Sequence, residues 1–133
     1  MDTDELEIIM KKYLPLILLS ACTVPTEKAS IRSAEHQEHI SINGNYQAIT
    51  KCWDETAEKA FINHANATFV TVYSDLHQAE VSVNMGSYYY LLAEIKQDGK
   101  KTKIDMYGNG SMGESYLPKW KNTFIECSKK TDR

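Results

Sequence analysis

Residues 88–107, YYYLLAEIKQDGKKTKIDMY, decide the fold of this chain. The first ten are the most apolar of several segments rich in β-branched and aromatic residues, which predicts a central β-strand. Asp98-Gly99 is a strong hairpin signal, because glycine tolerates the positive φ that a tight turn requires. The last seven residues alternate polar and apolar side chains and predict the returning strand. The stretch therefore predicts an antiparallel hairpin.

Two segments that precede this hairpin predict further strands. Residues 68–74, TFVTVYS, and residues 79–85, AEVSVNM, are again rich in β-branched residues. Turn-forming residues separate all four segments, and the connections between them are short. Because short connections join neighbouring antiparallel strands, the sequence predicts a four-stranded antiparallel meander.

Two helices are expected to flank the meander. Apolar side chains recur at helical spacing over residues 46–63, and Asn45 is suited to be the N-cap. A second stripe predicts a helix over 117–129, with Pro118 in its first turn. The predicted fold is therefore α+β, in the order α-β-β-β-β-α, a single domain over 43–133 with both helices on one face of the sheet. The stripe residues are Tyr46, Ile49, Trp53, Ala57, Ala60 and Phe61 in the first helix and Leu117, Trp120, Phe124 and Cys127 in the second.

Residues 10–22 have the pattern of a secretory signal peptide. Two lysines follow Met10, an apolar run covers 13–19, and small residues precede Cys22. The run is too short to cross a bilayer, which needs about 20 apolar residues. Its end, Leu19-Ser20-Ala21-Cys22, resembles the lipobox of bacterial lipoproteins.

This resemblance implies that residues 1–21 are removed and that the thiol of Cys22 carries a diacylglycerol, which anchors the mature chain to a membrane. Because Thr23, not an aspartate, follows that cysteine, it also implies an outer-membrane lipoprotein that faces the periplasm. Acidic residues crowd positions 1–9 and oppose the usual charge of a signal peptide. We therefore expect Met10 to be the true start.

Residues 22–42 are polar and show little apolar periodicity, which predicts a flexible tether between the lipid and the domain. The tether contains His36 and His39 with glutamates beside them. Two histidines are fewer than the three or four protein ligands of a usual zinc site. The sequence therefore predicts a solvated segment and no metal site.

Two cysteines remain once Cys22 is assigned to the lipid. Cys52 and Cys127 would then lie in an oxidising compartment, where an even pair indicates one disulfide. The alternative is two buried free thiols in a cytosolic protein. The helical stripes favour the bridge, because both cysteines lie at the edge of or within an apolar stripe, and the bridge would join the two predicted helices.

Two patterns that suggest catalysis have simpler interpretations. Residues 108–113 match G-x-G-x-x-G, but no parallel βαβ unit follows, so we interpret them as a flexible loop between strand and helix. Ser74, Asp75 and His77 are the residue types of a hydrolase triad, but such close neighbours do not easily adopt the relay geometry. The sequence therefore predicts no catalytic residue and no cofactor.

The run Tyr88, Tyr89 and Tyr90 is the candidate contact surface. In a strand, Tyr88 and Tyr90 face one way and Tyr89 the other. One interpretation is that one face packs under the helices and the other is ordinary surface. The second is a face that binds a protein or glycan, because tyrosine is enriched at the centres of interfaces. Met112, in the glycine-rich segment, is a further candidate.

The charge balance, 15 basic against 18 acidic residues, gives no electrostatic reason to expect nucleic-acid binding. We expect a small, non-enzymatic, lipid-anchored protein of the bacterial envelope that binds another protein. Two alternatives stay open: a binding module for a small ligand or peptidoglycan fragment, and an inhibitor of a lytic enzyme.

Overall fold

The structure, a computed structural model, describes residues 26–60 and 68–131. Two strand–helix pairs come first along these residues, and four consecutive strands and a long helix follow. The strands are β1 (Thr26–Glu27), β2 (His36–Asn43), β3 (Thr68–Tyr73), β4 (Gln78–Met85), β5 (Tyr88–Asp98) and β6 (Lys101–Gly108). The helices are α1 (Lys28–Ile31), α2 (Tyr46–Ala60) and α3 (Gly110–Thr131), with a short 3-10 helix over Ser74–Leu76.

The strands form one antiparallel sheet in the order β2-β6-β5-β4-β3, and β1 pairs with the start of β5. The α+β class and the meander from β3 to β6 are confirmed, since each of these strands pairs with the next one along the chain. The prediction of four strands is wrong. β2 adds a fifth long strand beside β6, and β1 adds a two-residue sixth strand.

The flexible tether predicted over 22–42 is wrong where the structure describes that segment. β2 pairs with β6 along its whole length. Ile40 and Ile42 are half-buried against the main core, and α3 contacts β2 on that side. The opposite side chains of β2 face solvent, so the strand needs few apolar residues, and its sequence resembles that of a polar linker.

Helices α2 and α3 pack on the same face of the sheet, as predicted. Asn45 is the N-cap of α2, because its side-chain oxygen accepts a bond of 2.9 Å from the backbone N–H of Gln47. Trp53 meets Trp120 edge to face at 5.0 Å between ring centroids and stacks on Phe124 at 5.5 Å. All three rings are fully buried. They form the centre of the contact between the helices and the sheet.

Cys52 on α2 and Cys127 on α3 form a disulfide, with their Cα atoms 5.7 Å apart. The predicted bridge between the two helices is therefore confirmed. Helix α2 is confirmed as far as Ala60. Its predicted extension to residue 63 lies outside the described residues.

Helix α3 begins at Gly110, not at residue 117. Two predictions are therefore wrong: residues 110–113 form the first turn of the helix and not a loop, and Pro118 lies inside the helix. The close approach of Gly108 and Gly113 explains the early start. A Cβ atom built on Gly113 would overlap the carbonyl oxygen of Gly108, so only glycine lets this turn pack directly on the end of β6.

Candidate interaction surface

Residues 28–34 cross the sheet face that lies opposite α2 and α3. We call this segment the N-terminal strap and this side of the sheet the second face. Ile31 and Ala34 are buried and pack on Leu92, which is fully buried although its neighbours along β5 belong to the main core. Side chains alternate across a strand, so Leu92 and the strap share the second face.

Two ion pairs fasten the strap to β4 and β5. The Lys28 ammonium donates to Glu80 at 2.7 Å. The Arg32 guanidinium donates to both carboxylate oxygens of Glu94, at 2.8 and 2.9 Å. The hydrogen bond from Arg32, aided by its charge, lowers the pKa of Glu94, although burial opposes the shift. The same two-bond geometry raises the pKa of Arg32, and the bond to Glu80 raises the pKa of Lys28.

Replacing Glu94 by glutamine should make the free energy of unfolding depend less on pH in the acid range. A depressed carboxyl pKa stabilises the fold above the ordinary value of 4.5, and this contribution is lost as the pH falls through the lower folded-state value. Arg32 is half-exposed, so solvent screening holds the effect to about 1 kcal/mol or less. Urea unfolding between neutral pH and pH 3 measures the loss. Glu126→Gln, in an ion pair that is exposed at both ends, is the control; equal profiles for the two variants would contradict the prediction.

A polar cluster beside the strap contains the histidine–carboxylate pair His39 and Asp105. The Nδ1 atom of His39 lies 2.7 Å from the Asp105 carboxylate, and Nε2 lies 3.1 Å from the side-chain oxygen of Gln37. The amide nitrogen of Gln37 donates to two strap carbonyls, at 3.2 and 3.1 Å. Burial, aided by the Asp105 charge, raises the pKa of Tyr107, whose ring meets His39 edge to face. The contacts of His39 and Gln37 therefore link the strap to β2 and β6 through one polar network.

The four contact residues predicted from the sequence share no single face. Tyr88 is 52% exposed at the start of β5. Tyr89 packs against the strap cluster, whereas Tyr90 and Met112 pack against the main core. The register slips between Val83 and Asn84, so Tyr90 has no partner on β4, and its side chain turns to the same side as that of Leu91. Tyr88 is therefore the one member of the group that is available as a large exposed contact.

Sequence reasoning missed Phe69, Val72 and Leu76, three exposed apolar side chains on β3 and the turn after it. β3 is the last strand of the sheet, and no strand in residues 26–60 or 68–131 pairs with its outer edge. The register opposite β4 places Phe69 and Tyr73 on the second face and Val72 on the face that the helices cover. The exposed fractions are 48% for Phe69, 45% for Val72, 38% for Tyr73 and 61% for Leu76.

No protein-family model, curated protein or solved structure matches this chain. Within the described part of the chain, no helix has the length and apolar character to cross a membrane.

The remaining candidate motifs do not form a chemical site in the described residues. His36 and His39 face opposite sides of β2, so they do not converge on one ion. Residues 26–60 and 68–131 contain no group of three or more His, Cys, Asp or Glu side chains arranged to hold a metal. His77 ends the 3-10 helix in a left-handed conformation (φ 52°), and its ring meets Tyr46, not Ser74 or Asp75.

A groove of about 330 Å³ lies between α2 and α3 beside the disulfide. Its volume falls at the lower limit of small-molecule pockets, but such pockets are lined mainly by apolar and aromatic side chains. Apart from Cys127, the residues that line this groove are of polar or charged types. The other lining residues are Thr56, Lys119, Asn122, Thr123, Glu126 and Lys130.

Proposed function

We propose that this protein is a lipid-anchored, non-enzymatic component of the bacterial envelope that binds another protein by strand addition at the outer edge of β3, which pairs with no other strand of the described residues. The resemblance of residues 19–22 to a lipobox supports the anchor and a periplasmic location at the outer membrane. The disulfide between Cys52 and Cys127 supports the same location, because disulfides persist in oxidising compartments such as the periplasm.

The binding proposal rests on a difference in charge between the two edge strands of the sheet. The edge strand β2, HQEHISIN, contains charged and titratable residues, and Glu38 pairs with Lys121 at 3.3 Å. Such charges protect an edge strand from pairing with other chains. The opposite edge strand β3, TFVTVY, contains neither charge nor proline, and its side chains suit a strand that joins another sheet.

Strand addition would use both the backbone and the side chains of β3. An extended partner segment supplies the main-chain hydrogen bonds that the outer edge of β3 can make. Phe69 and Tyr73 on the second face, with Val72 on the other, would then provide apolar contacts on both sides of the added strand. Aromatic side chains contribute strongly to the binding free energy when they are buried in an interface.

Photocrosslinking tests this edge in the bacterium that produces the protein. A benzoylphenylalanine placed at position 69 should form an adduct with a partner protein, and Tyr73→Lys should reduce the yield. Loss of an interface aromatic costs about 2 kcal/mol, which corresponds to a roughly thirtyfold loss of affinity. The same photoreactive residue at Ser41, an exposed position on β2, is the matched control. An adduct yield at position 69 no higher than at position 41 would contradict the proposal.

A further inference from the structure

The turn between β4 and β5 carries two large exposed apolar side chains. Met85 is 66% exposed and Tyr88 is 52% exposed. They lie opposite each other in the register on either side of the turn, so they form one contiguous apolar end of the hairpin. We call residues 85–88 the β4–β5 tip.

The chain enters the described fold beside this tip. Glu27 pairs with Tyr88, and Thr26 pairs with Tyr89. Cys22 precedes Thr26 by four residues. Four residues span at most about 14 Å, so the backbone of Cys22 lies within about that distance of β1. Residues 28–34, the strap, are held on the sheet, so this part of the chain cannot extend to lengthen the connection.

We propose that the β4–β5 tip lies in the headgroup region of the bilayer that holds the acylated Cys22, a placement that rests on the proposed lipid anchor. The diacylglycerol fixes Cys22 at the bilayer surface, and the short connection keeps β1 and the tip beside it. The headgroup region of one leaflet is about 5 to 8 Å thick, which is comparable with the reach of the connection. Tyrosine is enriched at this depth, and methionine is a flexible apolar side chain that adapts to an irregular surface.

This placement also orients the proposed binding edge. The turn after β3, which contains Leu76, lies at the opposite end of β4 from the tip, and the eight residues of β4 span about 26 Å. With the tip at the bilayer, β3 rises from the membrane surface toward the periplasm. Its outer edge then faces a soluble partner.

Fluorescent labels at the two ends of the sheet test the placement. Met85→Cys and Leu76→Cys replace side chains that are 66% and 61% exposed, so the two variants are closely matched. Each is made in the full acylated protein, where Cys22 carries lipid and the other two cysteines are bonded, and is labelled with bimane. The labelled proteins are reconstituted in vesicles of phosphatidylethanolamine and phosphatidylglycerol that contain doxyl-labelled lipid. We expect a blue shift and loss of bimane emission at position 85 and neither change at position 76.

Flotation with the vesicles separates the two proposals. If the protein floats but the bimane emission at position 85 is neither shifted nor quenched, the tip contact is overturned. The lipid anchor is not contradicted by that result. Quenching at both positions likewise overturns it, because the two ends of the sheet would then be equivalent. Protein that neither incorporates labelled palmitate nor floats overturns both the anchor and the contact. Because the contact is apolar, replacing phosphatidylglycerol by phosphatidylcholine should leave the quenching at position 85 unchanged.

Discussion

Replacing Cys52 and Cys127 together by alanine is expected to lower the free energy of unfolding by about 4 kcal/mol. The bridge joins residues 75 positions apart, so it removes a large loop-closure entropy from the unfolded chain. The pair also connects the two helices that cover the core, and Cys127 is only 2% exposed. A domain of this size has a total stability of about 5 to 15 kcal/mol, so the loss is a large part of it.

Guanidinium unfolding with and without dithiothreitol measures this effect. Reduction should bring the wild-type protein down to the stability of the double variant, and it should leave the double variant unchanged. The unreduced wild-type protein should also show no reactive thiol from either cysteine after denaturation. A double variant as stable as the oxidised wild-type protein would contradict the prediction.

The helices and the meander could be predicted because their signals are local. Leu117, Trp120 and Phe124 recur at helical spacing, and all three are buried on α3. The Asp98-Gly99 turn fixes the hairpin register, which brings Ile95 opposite Ile104 in the core. Each of these features depends on residues that are close together in the sequence, so periodicity and turn chemistry were enough.

The strap and β2 could not be predicted because their stabilising contacts are distant in the sequence. Arg32 and Glu94 are separated by 62 positions and Lys28 and Glu80 by 52, so neither pair has a local pattern. The strap buries few apolar side chains, and β2 is covered on one side only. Segments of this kind have the composition of a linker. They can be assigned to the fold only when the sheet that they cover is known.

The candidate surface was missed for a related reason. The uncharged composition of β3 is visible in the sequence, but its meaning depends on β3 being the last strand of the sheet. The tyrosine run was over-interpreted because a register slip is not visible in residue types. The slip interrupts the alternation of side chains, so Tyr90 packs in the main core on the same side as Leu91.

Replacing Gly113 by alanine is expected to destabilise the protein by about 3 kcal/mol, although alanine is the better helix former. Gly113 packs on the end of β6, where a Cβ would overlap the backbone of Gly108. A Cβ on Gly108 would likewise lie 2.7 Å from the Cα of Gly113. The obstacle to a Cβ on Gly113 is the backbone of Gly108, so relief requires β6 and α3 to move apart. The glycine pair that resembles part of a nucleotide motif therefore acts as a contact between a strand and a helix.

Gly99→Ala is the matched control for this prediction. Gly99 has a φ of +61° and nothing within 4 Å of an added Cβ, so the substitution tests left-handed strain without a steric overlap. That strain costs about 1 to 2 kcal/mol, less than the loss expected at position 113. Urea unfolding of both variants compares the cost of the steric overlap at position 113 with the cost of left-handed strain at position 99. If Gly113→Ala were as stable as the wild-type protein, the close contact between β6 and α3 would not exist in solution, and the glycine-rich segment would have to be free to move as a loop.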